Sequence, residues 1–148
     1  MSRTNEAAGA GWTRILATGH EAWVGTVQGE LFLGTEVSAQ RRVDRERPVG
    51  LLPLLEKPRS EIVNEISERE SELGAEAGTL LALVPLDAIP AEAVESRLDF
   101  WVQLALDWLD ETPTSGGRDD LLAIVECAPW ASQRARHRAS RLRTTARD

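Results

Sequence analysis

Two clusters of ionisable residues carry most of the chemistry this chain could perform. Asp107, Asp110 and Glu111 close one apolar run, and Asp119 and Asp120 open the next across a short Thr/Ser/Gly segment. Three carboxylates at the end of a helix oppose its dipole, so their presence asks for a partner, and oxygen ligands beside a loop suit Ca²⁺ or Mg²⁺. The run lacks the alternating Asp-x-Asp-x-Asp core of an EF-hand, so an acidic patch for a basic protein is the stronger reading and no metal is expected. The second cluster is basic. Trp130, Gln133, Arg134, His137, Arg138 and Arg141 recur at spacings of three and four, which lines them along one flank of a helix as donors for a phosphate backbone or an acidic protein. A competing reading pairs Arg134, Arg138 and Arg141 with Glu92, Glu95 and Asp99 on a neighbouring helix, with Trp130 in the core near Trp101.

Catalytic signatures are missing. There is no phosphate-binding loop ending in Lys-Ser/Thr, no Gly-x-Ser-x-Gly elbow, no His-Glu-x-x-His and no dinucleotide fingerprint, and the one Lys, Lys57, stands between Glu56 and Pro58. His20 and His137 are too far apart in sequence to form a local metal pair, and His20 is expected in an exposed turn. The single Cys127 excludes an internal disulfide and a multi-Cys zinc site; its apolar surroundings suggest a buried, inert thiol. Abundant carboxylates leave acid–base hydrolysis open as an alternative but do not signal it. The expectation is a protein that is not an enzyme and needs no cofactor.

Charge is sorted along the chain. Residues 1–50 hold six Arg and six acids, residues 51–111 hold four basic residues and fourteen acids, and residues 112–148 hold seven Arg and four acids, so the segments carry 0, −10 and +3. An acidic middle before an Arg-rich end means that the two pair with each other or that each faces a charged partner. The composition, 42% hydrophobic and 28% charged, is that of a globular domain. Residues 1–11 lack the apolar stretch of a signal peptide, and the longest apolar run is far short of a membrane span, so a cytoplasmic protein without membrane contact is expected. Sixteen Arg against one Lys, with abundant Ala, is the bias of a GC-rich, bacterial type of coding sequence.

The elements that must position these groups follow from periodicity. Residues 12–18, 22–28 and 31–37 read as short strands around Gly19 and Gly29; in the second, Trp23, Gly25 and Val27 share one face, and Gln28-Gly29-Glu30 forms the turn. Large rings such as Trp12 and Trp23 in a small sheet usually pack beneath a helix. Residues 38–48 read as an exposed connector. A surface helix is expected from Ser60 as N-cap to a stop at Gly74, with Glu65, Glu68 and Glu72 outside a narrow Ile62, Val63, Ile66 stripe. For residues 79–86 a buried strand and a short helix compete. Residues 90–111 read as one central helix, with Val94, Leu98, Trp101, Ala105 and Trp108 on one apolar face and Val102, Leu106 and Leu109 on a second. After a turn over residues 112–117, Asp119 can cap a helix, and Pro129 should break it and begin a last helix to about Arg143.

The fold class expected is α+β: a small N-terminal antiparallel sheet of two or three strands, then a helical layer of four or five helices with the 90–111 helix at its centre and a kinked C-terminal pair. One domain spans residues 1–148, with a β-rich part at 12–37, a helical part at 58–143 and flexible ends at 1–11 and 144–148. The function expected is non-catalytic protein–protein interaction, as an adaptor, inhibitor or immunity-type protein. Its acidic surface, Glu65, Glu68, Glu72, Asp107 and Asp110, would meet a basic protein. Nucleic-acid binding through Arg134, His137, Arg138 and Arg141 is the first alternative, and a carboxylate-dependent hydrolase is the second.

Overall fold

Alternating apolar residues build an antiparallel meander at the N-terminal end, with β1 at Thr13–Gly19, β2 at Ala22–Val27, β3 at Glu30–Gly34 and β4 at Ala39–Arg42, in the order β1-β2-β3-β4. The computed structural model describes residues 11–19, 21–112 and 116–147, with side chains to 144. Expectations for residues 1–10, His20 and residues 113–115 therefore lie outside the described residues. Gln28 and Gly29 both have positive φ, 52° and 80°, as the two-residue hairpin between β2 and β3 requires. Leu16 pairs with Val24, and Val24 with Leu33, on the face that enters the core. Trp23, Gly25, Phe32 and Gly34 occupy the other face. There the Trp12 ring sits against both glycines, where an added Cβ would meet its carbons at 2.8 and 3.0 Å. Trp12 and Trp23 thus stand outside the buried core, Trp12 over this face of the sheet and Trp23 at the edge of a cleft shared with residues 65–72.

Strand β4 corrects the reading of residues 38–48 as a connector. It is an edge strand of exposed polar side chains, held by backbone pairing of Arg42 with Phe32 and Arg41 with Leu33, so it has no apolar alternation to read. Val43 then donates its N–H to Leu31 at 2.9 Å and turns its side chain inward. A 3₁₀ segment, Val49–Glu56, follows and buries Leu51, Leu52, Leu54 and Leu55 under the sheet.

Helix α1, Arg59–Leu73, ends where expected, at Gly74 with φ 69°. It starts one residue before the expected cap Ser60, directly after Pro58, because the amides of Arg59 and Ser60 find a remote acceptor, the carboxylate of Glu111, at 2.9 and 3.2 Å. Residues 79–86 resolve as a short helix, α2 at Thr79–Leu83, and a turn.

The single central helix is not observed. The chain forms α3, Ile89–Ser96, and α4, Asp99–Glu111, separated by Arg97 in the left-handed conformation, φ 58°, and by extended Leu98. The Ser96 hydroxyl donates to Ala93 and accepts from the Leu98 amide, closing one helix and opening the next. Leu98 is therefore 57% exposed, not buried. On α4 itself both apolar stripes are used. Ala105 and Trp108 enter the cluster beneath the sheet, with Trp101 at its margin; Val102, Leu106 and Leu109 enter a second cluster with α5, Arg118–Cys127, and α6, Gln133–Arg147.

Pro129 does break the chain between α5 and α6. The last helix begins four residues later, where the Ser132 hydroxyl accepts the Ala135 amide at 3.1 Å, and it runs on through the residues expected as a flexible tail, to Arg147. Arg118, not Asp119, is the first residue of α5. Cys127, at the end of α5, is exposed, because Leu122 and Val125 take the inward positions. Among the described residues no helix is long and apolar enough to cross a membrane.

Candidate binding surfaces

Three buried charged residues hold the frame on which the surface groups sit. The Glu70 carboxylate accepts the amides of Gly78, Leu80 and Leu81 at 3.0, 2.7 and 3.1 Å, capping α2 from the preceding helix. These bonds, that to Gly78 foremost, hold its carboxyl below the usual carboxylate range against the opposing pull of burial. Glu92 binds the Arg47 guanidinium and so ties the segment after β4 to α3. Arg118 donates its Nε–H to the Leu109 carbonyl at 2.8 Å, closing the C-terminal end of α4 onto α5. None of the three stood out in the sequence, where each is one charge among many.

The expected acidic set divides. Glu65, Glu68 and Glu72 lie together along α1, where with Arg14, Trp23 and Arg69 they line a shallow cleft beside β1. Lys57 reaches Glu65 at 3.1 Å and Arg69 reaches Glu72 at 3.2 Å. Arg69 also donates to the Arg14 carbonyl at 2.7 Å, and the Arg14 guanidinium stacks 4.7 Å from the centre of the Trp23 ring. Glu68 has no ion pair among the described residues. Asp107 is engaged elsewhere, by Arg138 of α6, while Asp110 is exposed near the end of α4. Glu111 is committed to the start of α1 and Asp119 sits 3.8 Å from Arg118. Among the described residues no group of three or more His, Cys, Asp or Glu is arranged to hold a metal ion.

The basic set divides as well. Arg134, His137 and Arg141 line one open groove with Ser140. Arg138 turns the other way, donating to the Gln103 carbonyl at 3.3 Å and pairing with Asp107. The expected pairing with Glu92, Glu95 and Asp99 is replaced. Glu92 belongs to Arg47, Asp99 accepts from the Ser132 hydroxyl at 2.7 Å, and the contact between α6 and α4 falls two turns further along α4, at Asp107. The cause is the break at Arg97, which moves Glu92 and Glu95 onto a separate helix. Trp130 packs on the second cluster under the Arg97 guanidinium, 6.0 Å from its ring centre, whereas Trp101 packs on the first.

The same break leaves an apolar corner that the periodicity concealed. Leu98 and Phe100 are 57% and 59% exposed, with Phe100 packed edge-on against Trp101 at 4.9 Å between centroids. Comparison with protein-family models, with curated proteins and with solved structures finds no match to this chain.

Proposed function

We propose that this chain is a non-catalytic binding protein of the cytoplasm, an adaptor, inhibitor or immunity-type protein, whose α1 face receives a basic surface of another protein. The observation that supports the reading is the sorting of α1: Ile62, Ile66 and Glu70 turn inward, and Glu61, Glu65, Glu68 and Glu72 stay at the surface at spacings of four, three and four. Like charges four residues apart on a helix destabilise it by about 0.2–0.5 kcal/mol per pair, and two such pairs lie here. Lys57 and Arg69 each engage one carboxylate, so the face keeps an excess of negative charge. A basic partner would relieve that repulsion and would be steered to the face over roughly a Debye length, about 10 Å at 0.1 M salt.

The test compares the full chain with a Glu61→Lys/Glu65→Lys/Glu68→Lys/Glu72→Lys variant as immobilised baits in native extract. Each captured protein is then purified and titrated calorimetrically. A basic protein that binds the wild type, weakens with salt and is lost by the variant is expected. A partner bound equally by both, or with salt-independent affinity, would place the interface elsewhere.

A further inference from the structure

The turn between α3 and α4 is made by Arg97, whose left-handed backbone, φ 58°, is one that residues other than glycine rarely adopt. It brings Arg97, Leu98, Asp99 and Phe100 to the surface together. Leu98 and Phe100 are each more than half exposed, and Phe100 rests edge-on against the half-buried Trp101. Apolar residues exposed singly need no explanation, whereas a contiguous group marks a contact surface. The charges of the corner are ordered. Arg97 and Asp99 flank Leu98, one of each sign and each one residue away, and Leu98 itself is extended, with φ −95° and ψ 120°. Among the described residues neither charge is held in an ion pair: the Arg97 guanidinium lies over the Trp130 ring at 6.0 Å, and Asp99 accepts from the Ser132 hydroxyl through Oδ1 alone.

We propose that this corner is the contact between two copies of the chain, related by a two-fold axis at Leu98. Under a two-fold axis, whatever residue i meets as j on the partner, j meets as i. An axis at Leu98 therefore sets each Arg97 against the partner's Asp99, twice over, and encloses the Leu98 and Phe100 side chains between the two pairs. Charge complementarity thus selects a second copy as the occupant, because the patch answers its own charges. The net charge of −7 makes copies repel, so they can meet only where charge is balanced locally, and the α1 face with its excess of carboxylates offers no such place. A corner of this size falls short of the roughly 1,200 Å² that a stable interface buries, so the dimer is weak and forms at high concentration. The contact does not involve α1, and either reading can fail without the other.

The experiment is sedimentation equilibrium of the full chain from about 10 μM to 1 mM, a range that reads weak association. The average mass is expected to rise from the monomer towards the dimer value. Leu98→Ser/Phe100→Ser should lower the association constant about tenfold or more, with circular dichroism unchanged because both side chains are exposed. Arg97→Asp alone or Asp99→Arg alone places like charges across the axis and should weaken the dimer about fivefold. An equimolar mixture of those two variants restores both opposite-charge pairs and should associate within about threefold of the wild type. Asp tolerates the left-handed backbone at residue 97, and circular dichroism checks that α4 persists without its first-turn acid. A chain that stays monomeric at the highest concentration would overturn the proposal and leave the corner to a different protein. A dimer untouched by Leu98→Ser/Phe100→Ser would overturn it by placing the contact elsewhere, and a mixture no stronger than its separate components would overturn the two-fold pairing.

Discussion

The indole N–H of Trp108 donates to the carbonyl oxygen of Lys57 at 2.8 Å, and this bond ties the middle of the first core to the point where the 3₁₀ segment hands over to α1. One turn further along α4, Glu111 caps the amides of Arg59 and Ser60. The C-terminal half of one helix therefore fixes both sides of a junction about fifty residues away in sequence, and with it the direction in which α1 presents its carboxylates.

Trp108 should accordingly be among the least replaceable residues. Trp108→Ala is expected to cost about 3–5 kcal/mol through the cavity left in the core. Trp108→Phe keeps most of the ring volume but strands the Lys57 carbonyl, for a loss of about 1–3 kcal/mol. Urea denaturation of the two variants checks the order, and equal losses would mean that the hydrogen bond contributes nothing.

Leu98 and Leu106 form a paired test of the break between α3 and α4. Both fit an apolar stripe in the sequence, yet Leu98 is 57% exposed and Leu106 is 1% exposed. Leu106→Ala should cost about 2–5 kcal/mol, whereas Leu98→Ala should change stability by no more than about 0.5 kcal/mol. Comparable losses at the two positions would show Leu98 inside the core and the helix continuous.

What the sequence revealed depended on whether the signal was local. Gly29 at the hairpin, Gly74 as helix stop and Pro129 as breaker act through their own backbone, and each does what its type requires. Strand β4 was hidden because an edge strand is held by main-chain bonds that no side-chain pattern reports. The break at Arg97 was hidden because Leu98 happens to continue the heptad-like spacing from Val94 to Trp101; Ser96 and Asp99, a capping hydroxyl and a first-turn acid, were the local signal against it. For the candidate sites, the flank of α6 was legible as a flank. Its register was not, since the partners of Arg138 depend on how α4 meets α6, a tertiary relation. Glu70 and Glu92 were illegible for the same reason, their partners lying eight or more residues away in sequence.

Helix α6 sits close to its neighbours because its inward residues are small. Ala135 and Ala139 are both fully buried, and α5 packs along them. Enlarging either should force the helices apart: Ala135→Leu is expected to cost about 1–3 kcal/mol by overpacking, and Ala135→Gly about 1 kcal/mol through helix propensity. Thermal melts of the two variants check this. An Ala135→Leu protein as stable as the wild type would show that α6 is loosely docked, and the groove formed by Arg134, His137 and Arg141 would then have no fixed geometry.

Glu70 should make the fold acid-sensitive. Its carboxylate is buried, accepts three backbone N–H groups, and has its pKa lowered chiefly by those bonds. A carboxyl that binds its proton more weakly in the folded state stabilises the fold fully above its unfolded pKa, about 4.3 for Glu. That contribution is lost as pH falls through the lower folded value, because the proton must then be taken up and the acceptor bonds weaken. Glu70→Gln keeps the size and one carbonyl acceptor while removing the charge, so it isolates the ionisation. The variant is expected to melt below the wild type at neutral pH, with the gap closing as pH falls from about 5 to the acid limit where the wild-type carboxyl is protonated too. Melting curves followed by circular dichroism across that range provide the check. A gap that stays constant with pH would assign the loss to the number of acceptor bonds and not to charge. Identical melting at neutral pH would remove Glu70 as the cap of α2.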